Sequence, residues 1–206
     1  MVLIVTKVGA LVEGSDIALP AGEKTGLTPD NLRRAVEANL RSLDVDRPDV
    51  VNLRMGDLDR NEAPLAAPLE TLLALREEGL VRHLGISNAT SAEFAEARGI
   101  APIACVQNLY NLSPREDDQL VDACAEAGIA YVPFFPVDGF QPVTAEHLDA
   151  VAARHGVTAP QVALAWLLAR SPNILLIPGT GSLDHLEENI AAGALELSAE
   201  DIAELG

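Results

Sequence analysis

Aromatic residues are scarce in this chain, since phenylalanine, tyrosine and tryptophan together make up 3% of its 206 residues. The core must therefore be built from aliphatic side chains, which suits helices packed on a parallel sheet whose strands are buried on both faces. Cysteine is equally rare, and Cys105 and Cys124 have neither the spacing of metal ligands nor a secretory context. We interpret both as buried free thiols, and we expect no metal site.

Positive charge is scarce as well. The chain has 14 lysine and arginine residues and 31 aspartate and glutamate residues, which gives a net charge of −17. An anionic protein with no cluster of cations repels phosphate backbones and anionic membranes, so we predict no nucleic-acid partner and no membrane partner. A long apolar run is also missing, since VLIVTKVGALV is too short to span a bilayer and lacks the basic start of a signal peptide. We expect a cytoplasmic protein.

The sequence does contain a repeated alternation of strand-like and helix-like segments. Helix starts are marked by capping-box spacing, for example Thr90 with Glu93 and Thr158 with Gln161. No linker rich in glycine or serine interrupts the alternation, so we predict a single domain over residues 1–206. The predicted strands are six short apolar runs at residues 2–6, 49–53, 83–86, 103–106, 130–135 and 174–177.

This alternation implies parallel strands with right-handed crossovers, either in an open doubly wound sheet or in a barrel. Periodicity alone leaves both architectures open. The GxGxxG fingerprint of dinucleotide-binding open sheets follows none of the strands. Polar residues instead stand where the strands end, as they do on the functional face of (β/α)8 barrels. They are Lys7, Arg54, Ser87, Asn88, Gln107, Asn108 and the turn at residues 179–182.

Several stretches resemble the aldo-keto reductase family. HLGISNATSAEFAEA is similar to that family's GxSN strand end and the helix after it, and APIACVQNLYNL resembles its VQNxYN strand. ILLIPGTGSLDHLEENI resembles its closing IPGTSSxxHLxEN segment. The matches run in family order from Val2 to Gly206, so we identify the chain as a member. The resemblance implies a (β/α)8 barrel that binds NADPH and reduces aldehydes and ketones.

The opening VLIVTK resembles the third strand of the family barrel. We therefore expect a truncated member, an incomplete (β/α)8 TIM-type barrel in which about six parallel strands alternate with helices and the first two strand–helix units are missing. Unpaired strand edges are templates for pairing with another chain. We predict a homo-oligomer that covers the edges at residues 2–6 and 174–177.

The resemblance implies that Lys7 is the family's catalytic lysine, and it puts Arg54 where the family has a histidine. The family's catalytic aspartate and tyrosine have no match in this sequence. Without the tyrosine, Lys7 has no phenol to activate, so a partly exposed lysine at a strand end is the competing interpretation. Arg54 can polarise a carbonyl group but cannot release its proton near neutral pH. It can equally pair with Asp57 or Asp59.

The expected coenzyme contacts also follow from the resemblance. Ser87, Asn88 and Gln107 would bind the nicotinamide carboxamide, and Phe134 would stack on the nicotinamide ring, although its other interpretation is plain core. The glycine-rich turn before the last helical segments would bind phosphate. His185 stands in place of the family's cationic phosphate contacts, and it is equally interpreted as a surface residue. The contacts expected near the chain end are Gly179, Thr180, Ser182, His185, Glu188 and Asn189.

Two functional hypotheses follow. The first is an NADPH-dependent oxidoreductase that reduces small carbonyl compounds, with weak activity because the family's tyrosine and aspartate are unmatched. The alternative is a catalytically inactive member that serves as a nucleotide-binding, structural or regulatory protein. The retained coenzyme motifs favour NADP(H) binding under both hypotheses.

Overall fold

The computed structural model describes residues 2–9, 26–55, 64–137 and 146–206. Asp57 and Asp59, the partners considered for Arg54, lie outside the described residues. Contacts divide the chain into two compact units, Met1–Gln107 and Asn108–Gly206, which are described separately. The single-domain organisation stays a prediction.

The first unit is a parallel sheet covered by helices. Its strands lie in the order β1-β2-β3-β4, so strands that follow each other in sequence are neighbours in the sheet. This is the arrangement of consecutive strand–helix units of a (β/α)8-type fold, and it confirms the predicted class. In chain order the elements are β1 (Val5–Val8), α1 (Pro29–Leu43), β2 (Val50–Arg54), α2 (Ala66–Glu77), β3 (His83–Ser87), α3 (Ser91–Ile100) and β4 (Ile103–Gln107).

The two faces of this sheet differ in chemistry. Leu53 lies beside Val8 on one side and Ile86 on the other, and Ile86 lies beside Val106. All four side chains are buried, so this face belongs to the hydrophobic core. Because successive side chains of a strand point to opposite faces, the intervening residues form a second face, and that face is polar.

The second unit is mainly helical. Its central helix α6 is apolar on nearly every side and is buried from Val162 to Leu167. Leu148 and Val151 of α5 pack against it in one hydrophobic cluster. In chain order the elements are α4 (Asp118–Glu126), β5 (Ala130–Tyr131), α5 (Glu146–His155), α6 (Ala159–Arg170), α7 (Leu183–Ala191), a short 3-10 helix (Ala192–Ala194) and α8 (Ala199–Leu205). Among the helices described in either unit, none has the length and apolar character needed to cross a bilayer.

One predicted strand is shorter than the sequence suggested and another is reduced to a single bridge, so the described residues contain five strands rather than six. The run at 130–135 is a strand only over Ala130–Tyr131, because Pro133 has no N–H to donate to a ladder. The run at 174–177 contributes a single bridge, between Ile174 and Tyr131.

The first strand begins at Val5 rather than at residue 2. The N–H of Ile4 donates to the carboxylate of Asp49 at 2.9 Å, which ends the regular ladder at that point. The α/β class is unaffected by these corrections.

Candidate functional site

The polar face of the first unit consists of two rows of residues that run across the strands. The register of the sheet defines the rows, since each member pairs with the next along the row. The row nearer the strand starts is Lys7, Asn52, Gly85 and Cys105. The second row, two residues further along each strand, is Arg54, Ser87 and Gln107. The structure therefore brings together four of the predicted catalytic and coenzyme-binding residues, namely Lys7, Arg54, Ser87 and Gln107.

Lys7 lies in an electrostatically unfavourable position on this face. The residue as a whole is exposed, but partial burial of its ammonium group lowers its pKa, and the nearby guanidinium of Arg54 lowers it further. The thiol of Cys105 acts weakly in the opposite direction. A cation whose pKa is shifted by burial and a neighbouring charge is typical of functional sites, although structural networks produce such shifts too.

The chain turns sharply at the end of β3, where Ser87 and Asn88 are both buried. Asn88 has a φ of 59°, a left-handed conformation that asparagine tolerates better than most residues. Its N–H donates to the carbonyl of Gln107 at 3.1 Å, which joins the end of β3 to the end of β4. Ser87, Asn88 and Gln107, the expected carboxamide contacts, are thus adjacent.

Asn52 is a buried polar residue on this face that was not among the predicted site residues. Its Nδ2 donates to Oε1 of Gln107 at 2.9 Å, and its Oδ1 accepts from the thiol of Cys105 at 3.2 Å. Burial, the strongest influence, raises the pKa of the Cys105 thiol to about 11. An amide inside the apolar strand VVNLR was the available signal, because a buried side-chain amide requires partners.

The second unit contains a cavity of about 520 Å³, here named the α7 cavity. Its wall is formed by the segment after β5, by the turn before α7 and by one side of α7 itself. Among its described lining residues, His185 and Glu188 are the ionisable ones, and no lysine or arginine is present. The expected coenzyme contacts that line it are Phe134, Gly179, Thr180, His185, Glu188 and Asn189.

Phe134 is only partly buried, so it stands in the cavity wall rather than in the closed core. Its N–H donates to the carbonyl of Asn108 at 2.9 Å, and its ring meets that of Phe135 edge to face, with the ring centroids 5.4 Å apart. The side-chain amide of Asn111 donates to the carbonyl of Phe135 at 2.9 Å. These contacts fix the backbone that presents the Phe134 ring to the cavity.

The turn before α7 is organised by hydroxyl groups. Ser182 caps the helix, because its Oγ accepts the N–H of His185 at 3.4 Å. The N–H of Ser182 in turn donates to Oγ1 of Thr180 at 3.1 Å. Asn189 donates Nδ2 to the carbonyl of Pro178 at 3.4 Å and so joins the helix to the turn. Ser182 thus shapes the α7 cavity without lining it.

The described residues include no group of three or more histidine, cysteine, aspartate or glutamate side chains placed to hold a metal ion.

Comparison with known proteins gives consistent results. Residues 1–206 match the model of the Aldo/keto reductase family. The chain is 53% identical over 206 residues to pyridoxine 4-dehydrogenase of Escherichia coli K12, an alignment that covers 98% of this chain and 70% of that protein.

Two solved structures show a similar fold. A thermostable aldo-keto reductase in complex with the inhibitor epalrestat has a TM-score of 0.79 and 32% identity, and the match covers 87% of this chain and 66% of that one. An aldo/keto reductase from Klebsiella pneumoniae in complex with NADP and acetate has a TM-score of 0.76 and 26% identity, with 99% and 69% covered. The chain therefore spans about two thirds of the length of these relatives.

Proposed function

The chain belongs to the aldo/keto reductase family, and we propose that it is an NADP(H)-dependent oxidoreductase that interconverts a small aldehyde or ketone with its alcohol. The observation that carries this proposal is the α7 cavity, because six residues expected to contact the coenzyme line it together. They come from two separate stretches of sequence, one at Phe134 and one at residues 179–189.

The α7 cavity fits part of a dinucleotide in size and chemistry. Its volume of about 520 Å³ lies within the range of about 300–1,000 Å³ that is usual for small-molecule sites. Backbone amides at a helix N-terminus bind phosphate well, and α7 begins at Leu183, three residues after Thr180. A side chain at Gly179 would extend into open space, so glycine leaves room for a ligand there. We infer that the cavity holds the diphosphate and adenosine portion, with Glu188 and Asn189 near the adenine.

For the first unit we propose that Ser87, Asn88 and Gln107 bind the carboxamide of the nicotinamide ring. The coenzyme, when bound, supplies or accepts the hydride. Lys7 and Arg54 bring positive charge to the polar face, and such charge stabilises the negative charge that develops on a carbonyl oxygen. We propose that the contribution of Arg54 is electrostatic rather than acid–base, because a guanidinium offers hydrogen-bond donors but no acceptor.

For the substrate we propose a pyridine ring that bears an alcohol or aldehyde group, such as pyridoxine or the corresponding aldehyde. The support is the 53% identity to a pyridoxine 4-dehydrogenase. Such an alcohol and its aldehyde form the kind of small alcohol–carbonyl pair that the family is expected to interconvert. A set of aromatic aldehydes is the natural comparison group, because those aldehydes lack the ring nitrogen.

An inactive nucleotide-binding protein is the second candidate, and the tyrosines favour it. Both tyrosines of the sequence, Tyr110 and Tyr131, are fully buried in the second unit, with their hydroxyl groups hydrogen-bonded to Asp118 and Asp117. Burial raises the pKa of Tyr110 to about 12, and the hydrogen bond to Asp118 adds to the effect. Both hydroxyl groups are engaged within the second unit, so neither is placed to give a proton to a substrate.

Calorimetric titration with NADPH, followed by a turnover assay with pyridoxine and NADP⁺, separates these candidates. Micromolar binding together with a rise in absorbance from NADPH supports the oxidoreductase. Micromolar binding without turnover, at enzyme concentrations that would reveal a loss of about 10⁴-fold, supports the inactive nucleotide-binding protein. Absence of binding at millimolar NADPH overturns both.

We further propose that the protein is a homo-oligomer. Within the described residues β1 pairs only with β2, and Leu3 and Val5 are exposed apolar residues at that edge. In the second unit Leu175 and Ile177 are exposed as well. Such edges and apolar residues are protected when another chain covers them. Size-exclusion chromatography with light scattering should give at least a dimer at micromolar concentration, and a monodisperse monomer would contradict the proposal.

A further inference from the structure

Three side chains of the polar face are joined by hydrogen bonds in a line from Cys105 through Asn52 to Gln107. The thiol donates to Oδ1 of Asn52, and Nδ2 of Asn52 donates to Oε1 of Gln107. All three are buried, with exposed fractions of 6%, 0% and 5%. The line crosses the sheet from β4 to β2 and returns to β4.

Cys105 fixes the direction of this line. A thiol donates a hydrogen bond but is a weak acceptor, so the oxygen of the Asn52 amide turns toward it. The pKa of the thiol, raised to about 11 by burial, means that Cys105 keeps its proton at neutral pH. With its oxygen so placed, Asn52 has only its N–H groups to offer Gln107. The oxygen of the Gln107 amide therefore turns inward.

Gly85 makes the line possible. It pairs with Asn52 on one side and with Cys105 on the other, so it lies between them in the sheet. A Cβ at this position would stand 2.0 Å from Oδ1 of Asn52 and 2.8 Å from the sulfur of Cys105. Any larger residue would separate the two side chains, so glycine is what lets them meet across β3.

The orientation of the Gln107 amide determines what its nitrogen atom, Nε2, can bind. Its Nε2 donates no hydrogen bond to the part of the chain that the structure describes. This nitrogen is not among the buried side-chain atoms that lack a partner, so it reaches the accessible surface at the end of the strand, where its N–H groups suit a ligand that supplies an acceptor. The side chain next to it in the row is Ser87, another of the expected carboxamide contacts.

We propose that Asn52 and Cys105 are positioning residues, which hold the Gln107 amide with its N–H groups toward the ligand so that it selects a carbonyl oxygen. This inference rests on the proposed function, in which that oxygen belongs to the nicotinamide carboxamide. It assigns to Asn52 a role in ligand selection, in addition to its packing in the sheet.

The test compares NADP⁺ with its 3-acetylpyridine analogue, which offers a carbonyl oxygen but no N–H group. Wild-type protein should bind both with Kd values within about threefold of each other by calorimetry. In Asn52→Asp, a carboxylate can only accept, so Gln107 must rotate and donate Nε2 to it. The proximity of Lys7, the register neighbour of residue 52, favours the ionised carboxylate at pH 8.

The rotated Gln107 would present its oxygen to the ligand. NADP⁺ can respond by turning its carboxamide to offer N–H, whereas the analogue cannot. The ratio of the two Kd values should therefore change by about tenfold or more against the analogue. Arg33→Gln is the control, because Arg33 pairs with Glu78 and has no part in this line, so it should leave the ratio as in wild type.

Asn52→Leu provides a second measurement if Asn52→Asp does not fold. Leucine has similar size but leaves the Gln107 amide free to rotate, so both ligands should weaken several-fold. If Asn52→Asp binds both ligands in the wild-type ratio, or if Asn52→Leu binds both as tightly as wild type, the inference is overturned and the proposed function stands. If wild-type protein binds neither ligand, the proposed function fails and the inference falls with it.

Discussion

The carboxylate of Asp201, on α8, meets Nε2 of His155, on α5, at 2.9 Å. The same carboxylate accepts a hydrogen bond from Arg154 at 2.8 Å and from the N–H of Ser198 at 2.9 Å. Two of these partners lie on α5 and the third is the N-cap of α8, so a single buried carboxylate joins α8 to α5. The hydrogen bond to His155 is the strongest influence on Asp201, and together the partners hold its pKa far below the ordinary value.

This depressed pKa predicts how stability depends on pH. A carboxyl group whose pKa is lower in the folded state stabilises the fold above its unfolded value of about 3.9, and it loses that contribution as the pH falls below it. Asp201→Asn should therefore lower the melting temperature at pH 7, and its difference from wild type should shrink between about pH 5 and pH 3. Thermal unfolding followed by circular dichroism measures both.

Glu200→Gln is the matched control, because Glu200 is exposed in the same first turn of α8. It should change the melting temperature little at any pH. A difference between Asp201→Asn and wild type that stays constant down to pH 3 would contradict the assignment of this stabilisation to the carboxylate.

Gly85→Ala should destabilise the protein. Its Cβ would stand 2.9 Å from the backbone carbonyl of Cys105 as well as close to the Asn52 amide, so the sheet itself must shift. Such overpacking typically costs about 1–3 kcal/mol. Gly99→Ala is the control of opposite sign, since Gly99 is exposed in α3 with open space around it and alanine there should add up to about 1 kcal/mol.

Urea denaturation of the two variants measures the free energies of unfolding. If Gly85→Ala is as stable as wild type, then Asn52 and Cys105 are not held as closely across β3 as described.

Gly179→Val should weaken NADPH binding without affecting the fold. Its backbone φ is not positive, and a side chain would meet no atom within 4 Å, so valine fits the protein but occupies the α7 cavity. We expect a loss of affinity of at least about tenfold by calorimetry. Gly181→Val is the matched control, because Gly181 is equally open but does not line the cavity. Equal affinities for the two variants would place the coenzyme elsewhere.

His185→Arg should shift coenzyme preference toward NADPH. The described lining of the α7 cavity contains no arginine or lysine, and His185 is the one position there that carries an imidazole. Arginine forms charge-assisted, bidentate hydrogen bonds with phosphate, so the ratio of the Kd for NADH to the Kd for NADPH should rise by about tenfold. NADH, which lacks the 2′-phosphate, is the internal control. An unchanged ratio would show that this phosphate binds away from His185.

Local features of this fold were predictable from the sequence, whereas long-range ones were not. The capping boxes at Thr90 and Thr158 occur as expected, because each involves residues three positions apart. The strand at 174–177 did not form, since a strand also needs partners that local hydrophobicity does not reveal. Asn52 was not predicted as a site residue, because its hydrogen-bond partner Gln107 is 55 residues away in the sequence. Only the amide within an apolar run indicated that such a partner existed.

The candidate site was predictable to the extent that family motifs cover it. The residues from Gly179 to Asn189 were nominated from one contiguous motif, and most of them line one cavity. The polar face required the register of the sheet, which sets Lys7 in the same row as Cys105. No motif contains that row, because its members come from four different strands.

Lys7→Met should raise stability while it lowers activity. The pKa of Lys7 is lowered, chiefly by partial burial, so the folded state disfavours the charged ammonium at neutral pH. The unfolded chain then binds more protons, and wild-type stability should rise as the pH increases toward the unfolded pKa of about 10.4. Methionine has a similar length but no charge, so it avoids this unfavourable burial of a cation. The melting temperature at pH 7 should therefore increase.

Turnover of the substrate should fall by about 10²-fold or more in the same variant, if Lys7 stabilises charge in the reaction. Arg33→Gln is the control, because Arg33 is paired with Glu78 on the surface and its pKa is raised rather than lowered. That substitution should not increase the melting temperature and should leave turnover unchanged. A Lys7→Met protein that melts at or below the wild-type temperature would show that the ammonium group does not destabilise the fold.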